Sequence, residues 1–484
     1  MCTARNRLIA GAVFFSPDFH GSSKTMLRAL SRINLRSLLT ASAAVSSAGN
    51  LQSTCHSRFQ NVLTTRRFKS HETYKPFKYH SNTFHIDKIS GVIDIKFNKE
   101  CSSRYPFIWL RDNCQCLMCH DKSSMQRRIL LDTLDIDVEP ENVLTDSVGQ
   151  AMTVHWSDGH ISEYPISWLK NYTFPQVVDH IQEMELRHWG SEVKLQTFSF
   201  VDILNDDSVL YNWLVCLHTD GLCKINDIGL EERNCMRLAE RVAYPKPTCY
   251  GIDWALKSNP NPSNLAFSGV RLCLHTDLPY YAYEPGALIF HSIKVSEFGG
   301  VSEFVDSFKV SYDLKRNDPE TFEILTRVPI GYADQGVDEL SHSEYYLKDS
   351  KPIISGLISI QSKILVGAMR STKRPGSKRE IKKITFNQQA RGIRIGVSVD
   401  DIKSVYKAMK VFHSALNNKE NFVSFKIQPG EAVCFDNYRV MHGRQEFTVP
   451  AGNSTSRHLH GIFIDWDNIY SRIRVIAKNK NIFF

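Results

Sequence analysis

The 484-residue chain lacks any apolar run approaching the ~18 residues of a membrane span, which excludes a sequence-evident transmembrane helix. It lacks internal repeats and any Pro- or Gly-rich interdomain linker, which excludes solenoid and low-complexity architectures. Acidic residues are almost missing from residues 1–70, where Asp18 stands alone against ten Lys and Arg. The formal net charge of +8 therefore sits in that segment, and the rest of the chain is close to neutral. A basic balance so placed gives no footprint for nucleic acid. It reads as a mitochondrial transit-peptide-like leader, Arg- and Ser-rich and acid-poor, with a cytoplasmic protein behind a disordered basic tail as the alternative. Arg28, Arg32 and Arg36 recur at i, i+4 and i+8, one face of a helix, with Leu27, Leu30, Leu35, Leu38 and Leu39 mostly away from it.

Twelve cysteines are present, but most are singletons in apolar runs rather than a disulfide framework. Cys216, Cys223, Cys249, Cys273 and Cys434 read as small buried hydrophobes. Cys114, Cys116 and Cys119 are too dense for that. Thiolates at this spacing suit a closed structural zinc site needing a fourth ligand, for which His120, His155 and His160 compete.

Residues 75–185 read as a small β-rich zinc-binding domain. Ser90–Phe97 and Pro106–Leu110 are expected strands, and Val154–Trp156 and Ile161–Tyr164 a hairpin across Ser157-Asp158-Gly159. Residues 190–484 follow as a larger unit, with helices expected over Phe200–Leu217, Leu230–Val242, Asp401–Leu416 and Asp467–Ala477. The many short strands between them, each bounded by turn signals, point to a double-stranded β-helix or jelly-roll core. The fold class is mainly β with flanking helices. Asp338–Lys383 fits this plan least well, and its basic run from Ser371 to Lys383 reads as a solvated loop.

The chemistry concentrates in two stretches. His275 and Asp277 are two residues apart, so on a strand they share a face. Downstream, two apolar runs separated by Asp436-Asn437 lead to His442, and Arg457 begins a further strand-like run. Two imidazoles and one carboxylate form the facial triad that holds Fe(II) with positions left open. A planar guanidinium grips a carboxylate bidentately.

The pattern His275-x-Asp277, His442, Arg457 resembles the Fe(II)/2-oxoglutarate-dependent dioxygenases. More narrowly, the chain resembles the γ-butyrobetaine/trimethyllysine dioxygenase family from about Phe84 to Lys478. That resemblance rests also on Trp109–Cys119, Tyr250-Gly251-Ile252-Asp253-Trp254, Gly299-Gly300-Val301-Ser302 and Asp465-Trp466-Asp467. It implies iron on His275, Asp277 and His442, 2-oxoglutarate held by Arg457 and Ser302, O2 as oxidant and ascorbate as reductant. It assigns His160 as the fourth zinc ligand. It also implies a homodimer acting on a small trimethylammonium substrate, with 2-oxoglutarate decarboxylated to succinate as an unactivated carbon is hydroxylated.

A quaternary ammonium has no hydrogen to donate and is held by aromatic faces. Tyr250 and Trp254 would share a face if their segment were helical. The resemblance makes them cage walls, and Tyr280 and Tyr281 offer further aromatic surface. The same resemblance assigns Asn264 to the substrate carboxylate with Gln388 as its partner. Phe267, Leu278 and Phe463 stand where the γ-butyrobetaine enzymes carry Tyr. The expected reaction is hydroxylation of γ-butyrobetaine to carnitine. The alternatives are trimethyllysine or another trimethylammonium substrate, a catalytically silent binding protein, and a zinc hydrolase.

Overall fold

The computed structural model describes residues 83–98, 101–147, 149–174, 181, 184–257, 266, 268–356, 381–448, 457–480 and 482. The leader, Asn264, Phe267 and most of the 371–383 basic run lie outside them. Tyr79–Phe484 form one compact unit.

The first part carries two three-stranded antiparallel sheets. One joins Thr83–Asp87, Val92–Lys96 and Ser102–Pro106, the other Pro140–Thr145, Ala151–Trp156 and Ile161–Pro165. The expected hairpin is present, with Gly159 at φ +77° in its turn. The expected strand at Pro106–Leu110 is instead a helix, Phe107–Asp112. Pro106 closes the preceding strand, and Phe107, Leu110 and Arg111 then bury one face at i, i+3, i+4, the helical period. Two buried tyrosines tie the layers together: Tyr105 donates to the Leu169 carbonyl (2.6 Å) and Tyr164 to that of Leu110 (2.5 Å).

The larger part is a double-stranded β-helix. Its major sheet runs in the order Trp254–Lys257, His458–Ile464, Ala287–Lys294, Ala432–Asp436, Leu222–Asn226, Thr197–Ser199. The minor sheet runs Leu272–His275, Val440–Arg444, Ser302–Asp306, Phe422–Phe425. Alternation sorts the major sheet's faces. Leu288, Phe290, Val433, Phe435, Leu459 and Phe463 join the inter-sheet core, whereas Ile289, Cys434 and Ile462 pack with the helices Asp207–Thr219, Asn234–Val242 and Trp466–Asn479.

The single helix expected over Phe200–Leu217 is two, Phe200–Asn205 and Asp207–Thr219. Asp206 breaks it by adopting extended backbone and accepting a hydrogen bond from Ser208 N, an N-cap for the second helix. The helix expected from Leu230 starts only at Asn234, because Arg233 sits at φ +72°. Cys216, Cys223, Cys249 and Cys434 are buried as expected, but Cys273 is only half-buried. Within Asp338–Lys383, Glu344–Pro352 is a strand that pairs along its whole length with Pro329–Val337.

A fully buried ion pair fastens the minor sheet to its cover. Arg439 Nη2 lies 2.7 Å from Asp306 Oδ2, and neither side chain is exposed. Arg439 also donates to the carbonyls of Thr219 and Arg187, while Asp306 caps the helix Ser307–Asn317 through Phe308 N and Lys309 N. Removing one partner leaves an uncompensated buried charge. Asp306→Ala should therefore cost about 3–5 kcal/mol of stability, read as a lowered urea midpoint at unchanged slope. A midpoint within ~0.5 kcal/mol of the parent, the level of an ordinary surface change, would refute that role.

Candidate active site

The site grows out of one ladder of the minor sheet. Leu272–His275 runs antiparallel to Val440–Arg444 with His275 directly opposite His442. Their rings lie 4.2 Å apart, centroid to centroid. The strand ends at His275, so Asp277 is not placed by strand alternation. Asn437 places it instead. The Asp277 amide donates to Asn437 Oδ1 (2.8 Å), and Asn437 Nδ2 donates back to the carbonyls of Asp277 and Pro285 (3.1 Å each). Asp277 Oδ1 then stands 3.3 Å from His275 Nε2 and 3.8 Å from His442 Nε2. The three ligand atoms lie within 4.8 Å of one another, a donor set that fits one metal ion.

The protonation states suit that task. His275 Nδ1 donates to the Cys273 carbonyl (2.7 Å), so Nε2 is the ring atom turned toward Asp277. Burial opposes charge on this ring, but the Asp277 carboxylate outweighs it and holds His275 above the ordinary range, at a nitrogen that a metal ion would take over from the proton. Burial, reinforced by the neighbouring His275, pushes His442 down to about 3, so it stays neutral. Burial opposes charge on Asp277, but the two imidazoles outweigh it and hold its carboxyl below the ordinary range.

A cavity of about 340 Å³ opens beside these ligands. Ser302, Arg444 and Arg457 lie on its wall, with Tyr250, Trp254, Leu278, Tyr280, Phe290 and Phe463 among the apolar lining. Burial, then the proximity of Arg444, pushes Arg457 down to about 9; burial pushes Arg444 down to about 10. Both guanidiniums sit over Phe447, at 4.6 Å for Arg444 and 5.9 Å for Arg457. Two desolvated cations on one wall stabilise an anion placed between them. Arg444 also donates to the carbonyls of Ala266, Ser268 and Val270. Nothing local in the sequence marks Arg444; the fold places it on the same cavity as Arg457.

Tyr250 and Trp254 both line the cavity, but not as neighbours on a helix. Tyr250 lies in a tight turn closed by Thr248 and Gly251, and Trp254 begins an edge strand. The Trp254 ring lies over Gly461, where a Cβ would penetrate the indole, and packs on Phe290 and Phe463 at 5.5 Å each. Tyr280 reaches the cavity and Tyr281 does not. Gln388 also misses it. Its neighbours Asn387 and Gln389 line the wall because Thr276 binds this strap: Thr276 N donates to Phe386 O (2.9 Å), and Asn387 Nδ2 to Thr276 O (3.3 Å).

The thiol cluster is the second group of metal-type donors among the described residues. His160 Nε2 lies 3.2, 3.6 and 3.5 Å from the Sγ atoms of Cys114, Cys116 and Cys119. Tetrahedral zinc with ordinary Zn–S and Zn–N bonds gives an S···N edge of about 3.6 Å, so the four residues fit it. His120 and His155 are not in the group.

Residues 181–463 match the taurine catabolism dioxygenase TauD, TfdA family, and residues 84–170 match the γ-butyrobetaine hydroxylase-like N-terminal family. The chain belongs to this dioxygenase family. It is 32% identical over 392 residues to γ-butyrobetaine dioxygenase of Homo sapiens, covering 80% of this chain and 95% of that one. It is 25% identical over 438 residues to mitochondrial trimethyllysine dioxygenase of Mus musculus, covering 89% and 95%. A trimethyllysine dioxygenase of Meyerozyma guilliermondii is 24% identical over 402 residues, covering 80% and 93%. The protein is thus a 2-oxoglutarate-dependent dioxygenase that requires Fe(II).

Asn437 is 1% exposed and closes Asp277 from both sides of its peptide. Outer-shell partners of this kind tune metal affinity by ~10–100-fold. Asn437→Ala should weaken Fe(II) binding within that range, measured by titrating iron-free protein with Fe(II). Parental iron affinity in the variant would show that Asp277 is positioned by other means.

Proposed function

We propose that this dioxygenase hydroxylates γ-butyrobetaine to carnitine, with iron held by His275, Asp277 and His442. The observation carrying this reading is the joining of that donor set to a cavity walled by Tyr250, Trp254, Tyr280 and Phe463. Aromatic faces are what a trimethylammonium group requires, since it cannot donate a hydrogen bond. Iron bound there supplies the redox chemistry that couples O2 and 2-oxoglutarate decarboxylation to attack on an unactivated carbon. The residues do the rest. Arg457 and the Ser302 hydroxyl hold the far carboxylate of 2-oxoglutarate, and the buried strands exclude water from the reacting face. Ascorbate serves as reductant. Cys114, Cys116, Cys119 and His160 hold a structural zinc with no open position. Residues 1–70 are a mitochondrial leader, a reading supported by relatives whose names include that compartment. The assembly is a homodimer.

Trimethyllysine is the second reading, favoured by relatives of that name; Leu278, Phe463 and Phe267 in place of the expected tyrosines leave room for another trimethylammonium compound. The deciding experiment incubates iron-loaded protein with 2-oxoglutarate and each trimethylammonium compound, recording succinate and hydroxylated product together. Coupled product from γ-butyrobetaine supports the first reading; coupled product from trimethyllysine alone replaces it.

Two expectations follow for variants. His275→Ala, Asp277→Ala and His442→Ala should each abolish succinate formation, and His275→Ala should keep zinc while Cys116→Ser loses it together with stability. Stoichiometric zinc in the Cys116 variant would remove that residue from the site. Trp254→Leu keeps apolar bulk but removes the strongest ring quadrupole, worth ~2 kcal/mol when desolvated. The KM for γ-butyrobetaine should rise roughly 30-fold with the KM for 2-oxoglutarate unmoved. An unchanged substrate KM would take Trp254 out of the cage.

A further inference from the structure

Among the described residues, the cavity wall carries one acidic residue besides Asp277: Asp334, on the strand Pro329–Val337. Its Oδ2 accepts from Tyr250 Oη and from Tyr345 Oη, both at 3.1 Å. Tyr250 Oη lies 3.1 Å from Tyr280 Oη. Since Tyr250 spends its proton on Asp334, Tyr280 must donate to Tyr250. The result is a directed relay, Tyr280 to Tyr250 to Asp334, with Tyr345 converging on the same oxygen. Burial comes first among the causes, and the charge of Asp334 adds to it, in holding all three phenols far above their ordinary range, so they remain donors. Among the described residues, no Lys, Arg or His forms an ion pair with Asp334. Its negative charge is solvated by phenols and not neutralised by a cation.

We propose that Asp334 is a specificity-determining residue of this enzyme: it gives the aromatic part of the cavity a net negative charge and so selects a cationic substrate end over a neutral one of the same shape. This rests on the trimethylammonium reading above. Two effects act together. The carboxylate, half-buried beneath Tyr250 and Tyr345, attracts a cation directly through a medium less polar than bulk water. Each phenol that donates to an anion also becomes richer in electron density, and so presents a more attractive face to a cation. A neutral tert-butyl group gains from neither effect, and an anion is repelled, so the discrimination comes from a repulsive element as well as an attractive one. The two cavity arginines belong to a separate cluster around Phe447, so Asp334 acts on the substrate end and not on 2-oxoglutarate.

The test uses the full-length protein and calorimetric titration with propyltrimethylammonium, γ-butyrobetaine and its neutral-headed isostere 5,5-dimethylhexanoate. Asp334→Asn removes the charge and keeps an acceptor for Tyr250. It should weaken both cations about tenfold (~1.4 kcal/mol), leave the isostere within about twofold, and leave the KM for 2-oxoglutarate unchanged. Asp334→Glu should restore most of the cation preference. Tyr345→Phe removes a donor but not the charge, and should bind cations as the parent does. Asp334→Ser makes the same test should the amide not be accommodated. Equal losses for cation and isostere, or an Asp334→Asn protein that binds cations as tightly as the parent, overturn the proposal. So does a parent that binds the isostere as well as the cation. The two readings separate cleanly. A parent that binds propyltrimethylammonium but never hydroxylates γ-butyrobetaine loses the substrate assignment and keeps Asp334. A parent and Asp334→Asn pair with the same γ-butyrobetaine KM loses Asp334 and keeps the substrate.

Discussion

The pairing of Leu272–His275 with Val440–Arg444 is the constraint on which the rest of the site depends. It sets two imidazoles opposite each other from positions 167 residues apart in the chain, and no local sequence preference can do that. A slip of either strand by one residue would send its imidazole to the other face, away from its partner. Three things hold this register. His442 is wedged among Phe290 and Phe435, with ring centroids 5.4 and 4.9 Å away. Ser302–Asp306 pairs with the far edge of the same strand. Arg439, immediately before that strand, is locked to Asp306. The buried ion pair contributes registration, a role for which its desolvation cost is tolerable.

The loop after His275 is held by a different device. Leu278 follows the Asp277 carboxylate at φ +55°, a conformation uncommon for a branched side chain. It is retained because the surroundings over-determine it: Asn437 grips Asp277 on one side, and Tyr281 N closes a turn onto the Leu278 carbonyl on the other. Glu284 then anchors the end of the loop, buried and bound to Lys351, Lys383 and Thr385. The strain sits beside the chemistry, and the hydrogen bonds that pay for it come from three separate segments.

What could be read from the sequence follows from the range of each interaction. The double-stranded β-helix, the long late helix and the His-x-Asp…His set depend on patterns within a segment or on a motif whose residue types are chemically constrained, and they were legible. Pro106–Leu110 was misread because five apolar-rich residues after a strand carry no period long enough to separate strand from helix. The Tyr250–Trp254 spacing of four suggested a helix, yet Gly251 at φ +100° turns the chain there. Gln388 lost its place to Asn387 because a single-residue shift in the strap is decided by Thr276, over a hundred residues upstream. Arg444, Asn437 and Asp334 left no local signal at all. Each matters only through what the fold sets beside it.

Arg444 and Asp334, together with Arg457, make the cavity electrically two-ended. Arg444 and Arg457, both largely stripped of water, give one cluster an excess of positive charge that burial alone would not tolerate without a dianion to follow. Asp334, wrapped by phenols, gives another cluster the opposite sign. A dicarboxylate and a cation entering this cavity would therefore be sorted by sign before any close contact is made. Shape has little power to do this, because a hydrophobic wall discriminates weakly between isosteres. Charge does it at longer reach.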